Sequence, residues 1–361
     1  MTEVEPPKVL AGLPRVLFLN ATRRCNVDCP RCYITALHRA GRDAVPPELV
    51  RKALRDPFFR DHDGPVLVIH QGGEIQTLGR ERLTAIVEAV AEAAPHARQT
   101  AVSNMFTAAP WFLDLAKAHF RARIETTWAA GRKSTLAGDE AGYQARFEAA
   151  LRAAIEAGIT CPINVEVNPE TLAAGPDALL DMMVRTGATV CEFDLSFDFQ
   201  AFHATPAYGS GGVPLVPPTA RYTDVSAYLI ALRRRIVVRG LSGRIHSHAL
   251  VPFAARGHDL PFNTRSESRF ITLNPDGTVT TVPLYSDLVP TYLGNLREAE
   301  LSACLAHPNR ALRMAFEEDR ARPCGACPHV ASCQGGPSHA PLFDGSGECA
   351  GLRGAVERMG C

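Results

Sequence analysis

The residues of this sequence best placed to do chemistry together are the thiols of Cys25-Asn26-Val27-Asp28-Cys29-Pro30-Arg31-Cys32-Tyr33. They follow directly on the apolar run Val16 to Leu19, so three cysteines sit on a short loop after a strand. Three thiolates satisfy three irons of a 4Fe-4S cube and leave the fourth iron open to a small-molecule ligand. A four-thiolate zinc site would need a partner close by, and the next cysteine is Cys161. Asp28, Pro30 and Arg31 make the loop polar, which argues against three reduced thiols packed in a core. A second group, Cys324, Cys327, Cys333 and Cys349, supplies four thiolates in a Pro- and Gly-rich region. Its spacing fits a tetrahedral zinc and a 4Fe-4S cube equally well.

The Cys-x3-Cys-x2-Cys loop, with Asn26 after its first cysteine and Tyr33 after its last, resembles radical S-adenosylmethionine (SAM) enzymes. The resemblance implies that the open iron chelates SAM and that one electron from the cluster cleaves it to methionine and a 5'-deoxyadenosyl radical. It also assigns residues. Gly72-Gly73-Glu74 ends the second strand signal, where the family has a motif that holds the methionine amino group. Glycines permit close backbone approach, and a carboxylate pairs with an ammonium. Ser103 and Asn104 would reach the ribose hydroxyls, Arg132 the SAM carboxylate and Tyr33 the adenine. Around Arg132 the pattern departs, because Thr126-Thr127-Trp128 replaces the Ser-Leu-Asp common there.

The C-terminal cysteines resemble the SPASM/twitch-like auxiliary-cluster region of radical SAM proteins, and the resemblance decides for iron over zinc. The Phe270 to Val282 strand-turn-strand signal around Asn274-Pro275-Asp276-Gly277 fits the hairpin that precedes such a region. A full SPASM region has two auxiliary clusters. Here Pro337 and the stretch Val282-Pro283-Leu284 stand where cysteines of the nearer cluster belong. The expectation is one auxiliary 4Fe-4S cluster, on Cys324, Cys327, Cys333 and Cys349, and none nearer. Cys191 and Cys304 are the candidate hydrogen donors should a thiol return a hydrogen atom to a substrate radical; Cys161 reads as core and Cys361 as a terminal thiol.

The elements that must position these groups alternate from Arg15 to about Phe199. Apolar runs at Val16–Asn20, Pro65–His70, Thr100–Ser103, Ile124–Trp128, Cys161–Val167 and Val190–Phe199 read as strands. Between them, helical periodicity marks Pro46–Arg55, Arg80–Ala94, Trp111–Phe120, Tyr143–Ala157 and Pro176–Arg185. Parallel strands with helical crossovers make an open sheet or a barrel, and periodicity alone does not choose. The resemblance implies a partial (β/α)6 barrel, α/β in class, with functional loops at the strands' C-terminal ends. We expect residues 1–14 as an N-terminal segment, 15–240 as the barrel and 241–361 as a small cysteine-rich auxiliary-cluster domain. Ala204 to Pro218, rich in Gly and Pro, reads equally as a binding lid and as a surface insertion.

The chain has 361 residues, 46% of them hydrophobic, which suffices for a large core. A formal charge of +0 gives no reason to expect nucleic acid or an anionic membrane as partner. No secretory signal and no run of roughly 18 apolar residues is present, so a cytoplasmic protein is expected. In that compartment eleven cysteines argue for metal or redox chemistry rather than disulfides. The reading is a radical SAM oxidoreductase of natural-product biosynthesis, abstracting hydrogen from a C–H bond with net oxidation. A flavodoxin- or ferredoxin-type electron donor is implied. With about fifteen residues before the first strand, no fused leader-peptide domain is expected, which favours a small molecule slightly over a peptide presented by a partner. A radical epimerase with a cysteine donor is the rival enzyme, and a metal-binding scaffold the rival outside catalysis.

Overall fold

The computed structural model describes residues 14–247, 250, 266–333 and 335–359. Cys361 and nearly all of the N-terminal segment lie outside them. The first half alternates strand and helix: β1 Arg15–Thr22, α1 Pro47–Arg55, β2 Val66–Gly72, α2 Arg80–Ala93, β3 Arg98–Val102, α3 Pro110–His119, β4 Ile124–Trp128, α4 Glu140–Glu156, β5 Ile163–Val167, α5 Pro169–Thr186 and β6 Cys191–Leu195. There follow α6 Phe199–Ala204 and α7 Tyr222–Val238, then β7 Phe270–Leu273, β8 Thr278–Thr280, β9 Gly294–Asn295 and α8 Pro308–Ala321.

These strands form one sheet in the order β9-β8-β7-β1-β2-β3-β4-β5-β6. From β1 to β6 every neighbour is parallel and next in sequence. A doubly wound sheet reverses its order at a switch point; this one advances in a single direction and does not close on itself. It is the partial barrel of the expectation. β7 then adds to the free edge of β1 in parallel, Val16 opposite Phe270 and Leu19 opposite Leu273. The hairpin partners β8 and β9 continue antiparallel.

The strand signals hold, with shifted ends. β6 stops at Leu195, and Phe199 begins α6 behind the capping carboxylate of Asp198. Helix α5 starts seven residues before the expected Pro176, behind the cap Asn168, and bends at Gly175, whose φ of 71° is left-handed. The Ala204 to Pro218 stretch packs rather than projects: Val213 and Val216 are buried, and Val216 N donates to His339 O at 2.7 Å. Among the described residues no helix is long and apolar enough to cross a membrane.

The interior of the barrel is set by strand alternation. In β4, β5 and β6 fully buried residues alternate with half-buried ones. The buried set, such as Ile163, Val165 and Phe193, joins the main apolar core. The half-buried set, Thr127, Asn164, Glu166 and Asp194, lines a cavity of about 390 Å³.

Candidate active site

The cysteine loop leaves β1 at Thr22 and is fixed on three sides. Its Val27–Asp28 segment pairs antiparallel with Ser134–Thr135. Arg31 forks onto both oxygens of Glu170, at 3.0 and 2.8 Å, and Arg39 reaches Asp28 at 2.7 Å. From the C-terminal region, buried Asp287 accepts from Thr35 N at 2.7 Å and pairs with Arg23 and His38.

So held, Cys25, Cys29 and Cys32 all line the barrel cavity. Ile34 N points at Cys32 Sγ and Asn104 Nδ2 at Cys25 Sγ, at 3.4 and 3.7 Å. Burial pushes the Cys25 thiol up to about 12 and the Cys32 thiol up to about 11. Three converging thiols with N–H donors behind them are the donor set that an iron-sulfur cube takes, and they fit it.

Gly72 and Gly73 line the same cavity, and their lack of side chains has a local cause. A Cβ on Gly72 would lie 2.0 Å from Thr22 O, and one on Gly73 2.1 Å from Arg24 O. Gly73 N donates to Thr22 O at 2.8 Å and Glu74 N to Arg24 O at 2.7 Å. The glycines thus let the end of β2 pack directly on the start of the cysteine loop.

Glu74 is held by the protein's own donors. Its carboxylate is buried and does not line the cavity; it accepts from Gln76 N at 3.0 Å, Asn104 N at 2.7 Å and Ser103 Oγ at 3.1 Å. It caps the turn after β2 and ties β2 to β3. Ser103 and Asn104 do line the cavity, while also holding Glu74. Tyr33 lines it too, its hydroxyl 3.4 Å from Gly72 O.

Beyond β4, Arg132 enters the cavity and is ion-paired with Glu166. Several lining residues were not singled out from sequence. Lys133 donates to Thr127 O at 2.7 Å, and burial pulls its ammonium down to about 8. Burial, then the nearby Glu192, pushes Asp194 up to about 6. Across from these charges, Phe197, Phe199, Pro283, Leu284, Pro337 and His339 form an uncharged wall. The His339 ring meets Phe197 edge-on at 4.7 Å, and burial drops its imidazole to about 3. The Pro283-Leu284 and Pro337 positions, where a nearer auxiliary cluster would take its thiols, are therefore part of the cavity wall.

No protein-family model and no curated protein sequence matches the chain. Solved structures do. That of anSMEcpe with bound AdoMet and Kp18Cys peptide superposes with a TM-score of 0.69, covering 96% of both chains at 14% identity. SuiB of Streptococcus suis, bound to precursor peptide SuiA, gives 0.62 over 90% of this chain and 72% of SuiB, also at 14% identity. Both are radical SAM enzymes. This chain has the radical SAM fold.

In that fold the four C-terminal cysteines form a second, separate cavity. Cys324, Cys327, Cys333 and Cys349 line it together, with Gly335, Leu342 and Gly351. A Cβ on Gly351 would stand 2.3 Å from Cys333 Sγ and 3.9 Å from Cys349 Sγ. Backbone N–H groups of Gly335 and Gly336 serve Cys333, and those of Arg353 and Gly351 serve Cys349. Among the described residues no three His, Cys, Asp or Glu side chains stand close enough to share one metal ion. The remaining candidates are elsewhere. Cys191 is fully buried in the core within β6, and Cys304, also buried, packs against Gly294. Neither lines the barrel cavity.

Proposed function

We propose that this chain is a radical SAM oxidoreductase. Cys25, Cys29 and Cys32 hold a 4Fe-4S cluster, SAM occupies the adjoining cavity, and hydrogen is abstracted from a substrate C–H bond with net oxidation. The observation that carries the reading is the convergence of three thiols, two backbone-exposing glycines and Arg132 on one cavity at the C-terminal ends of parallel strands. When bound, the cluster and SAM supply the 5'-deoxyadenosyl radical. The protein's own residues bind, orient and exclude water: Lys133, and Arg132 beside its partner Glu166, offer positive charge to a carboxylate, Asn164 offers hydrogen bonds, and the wall from Phe197 to His339 excludes solvent.

The four C-terminal thiols hold one auxiliary 4Fe-4S cluster. All four line one cavity, and the likeness of their Cys-x2-Cys-x5-Cys spacing to an auxiliary-cluster region supports a cube over one zinc ion. Its cavity is separate from the barrel cavity, which supports an electron-accepting role and not ligation of substrate. Residues 15–240 serve as the catalytic barrel and 241–361 as the auxiliary-cluster unit, with a flavodoxin- or ferredoxin-type protein as reductant. Oxidation is favoured over epimerisation because Cys191 and Cys304 lie away from the cavity. A peptide substrate is favoured because both neighbours were solved with peptides.

Anaerobically reconstituted protein should carry roughly eight irons, two cubes of four, and should form 5'-deoxyadenosine from SAM under dithionite. Replacing Cys25, Cys29 and Cys32 by Ala should leave about four irons and abolish the nucleoside. Undiminished 5'-deoxyadenosine from the triple variant, read by mass spectrometry, would remove the proposal.

A further inference from the structure

The wall between the two cavities is the chain from Gly335 to Ala340: Gly335 lines the four-cysteine cavity, and Pro337 and His339 line the barrel. One side chain organises it. Arg320, in the last turn of α8, continues the inward face that Glu317 and Arg313 bury one and two turns earlier. Its Nε donates to Ala340 O at 2.7 Å and its Nη1 to Gly335 O at 2.7 Å, with Gly336 O at 3.4 Å. These acceptors are neutral, and Nη2 is buried with no hydrogen-bond partner. Burial lowers its titration, and the groups that oppose this are the Tyr222 hydroxyl, then the thiols of Cys324 and Cys333, then the Glu317 carboxylate. A fixed cation therefore sits in the wall between the two cavities, on the carbonyl of a residue that lines the four-cysteine site.

We propose that Arg320 sets the reduction potential of the auxiliary cluster, by stabilising the additional negative charge of its reduced state. The proposal rests on the assignment of iron to Cys324, Cys327, Cys333 and Cys349. A cluster gaining one electron becomes more negative by one unit, and a guanidinium in a low-dielectric wall favours that form. Raised potential is what an acceptor needs when a substrate radical gives up one electron and one proton to become a two-hydrogen-oxidised product. Arg320 is a positioning residue here, since it touches the wall and not the substrate.

The test uses the full chain with Cys25, Cys29 and Cys32 replaced by Ala, so that only the auxiliary cluster is observed, in redox titrations followed by electron paramagnetic resonance. Arg320→Gln should lower the equilibrium constant for reduction about tenfold, equivalent to about 59 mV for one electron, with four irons retained. Arg320→Lys, which keeps the charge and loses the fork, should stay within about threefold of the parent. Equal shifts in Gln and Lys, or no shift in either, overturn the proposal. Should Gln fail to retain iron, Arg320→His gives the same answer within one folded protein: its potential should rise toward the parent's as pH falls through the imidazole range, and a constant gap overturns the idea. A parent triple variant that binds zinc and no iron removes the cluster assignment itself, and this inference with it.

Discussion

Glu74 accepts from Gln76 N at a half-buried position and from Asn104 N and Ser103 Oγ at buried ones. Replacing it by Ala strands those donors, and a stranded buried donor costs about 1–3 kcal/mol. Glu74→Ala should therefore lower the unfolding free energy of the SAM-free protein by roughly 2 kcal/mol or more, measured by urea denaturation. An unchanged midpoint would mean that the carboxylate is free, as the Gly-Gly-Glu resemblance implied, and offered to a ligand. At this scale the cysteines were legible because a three-thiol spacing has few other uses. Glu166 and Asp194 were not, because polar residues alternating with apolar ones along a strand read as an outer face turned to water. Here helices cover the outside, so the alternate polar residues turn inward to the cavity. His339 and Phe197 gave no signal at all, being ordinary residue types brought together from distant parts of the chain.

Strand β7 shows the same limit among elements. Its hairpin was legible from Asn274-Pro275-Asp276-Gly277, where Gly277 takes a φ of 88° at the turn. Its parallel pairing with β1 was not, since a partner some 250 residues away leaves no local trace. That pairing changes what the boundary at residue 240 means. β1 has β2 on one side and β7 on the other, and Asn20 donates to Asn274 Oδ1 at 2.7 Å and to Ser286 Oγ at 2.6 Å. Arg23 reaches Asp276 and the carbonyl of Ser286, both at 3.0 Å. A chain ending at residue 247 would expose the whole edge of β1 and strand Asn20 and Arg23. Exposed apolar edges template aggregation. We expect this truncation to be aggregated by size exclusion, with weakened strand signal in circular dichroism. A folded monomer would show that the barrel stands without β7 and is a domain in its own right.

Across the whole molecule the charges balance, 38 basic against 38 acidic side chains. Pairs such as Arg51–Glu92 and Arg185–Glu148 lie at or near the surface, where an ion pair contributes about 0–1 kcal/mol. Response to mild acid is set instead by groups inside the barrel, and two of them pull in opposite directions. His70, wholly buried in β2, bonds through Nε2 to Gln99 Oε1 at 2.7 Å, while its Nδ1 has no hydrogen-bond partner. Gln99 Nε2 donates to Val87 O, so Oε1 accepts and the neutral ring keeps its proton on Nε2. Burial lowers the imidazole from 6.5 to about 4. Between those values the unfolded chain binds a proton that the folded one refuses, so the stability His70 contributes is present above pH 6.5 and is lost as pH falls. Asp194 is raised from 3.8 to about 6. There the folded chain holds the proton, so its contribution is present below pH 3.8 and is lost as pH rises through 6. Each titration changes the slope of unfolding free energy by roughly 1.4 kcal/mol per pH unit. Measured on the SAM-free protein between pH 4.5 and about 5.5, inside both titration windows, His70→Gln should make stability rise less steeply with pH than in the parent. Asp194→Asn should make it rise more steeply. The comparison cancels every other titrating group, which both variants share with the parent. Slopes that move together would show that one of the two groups titrates in a more solvated setting than its place in the barrel gives it.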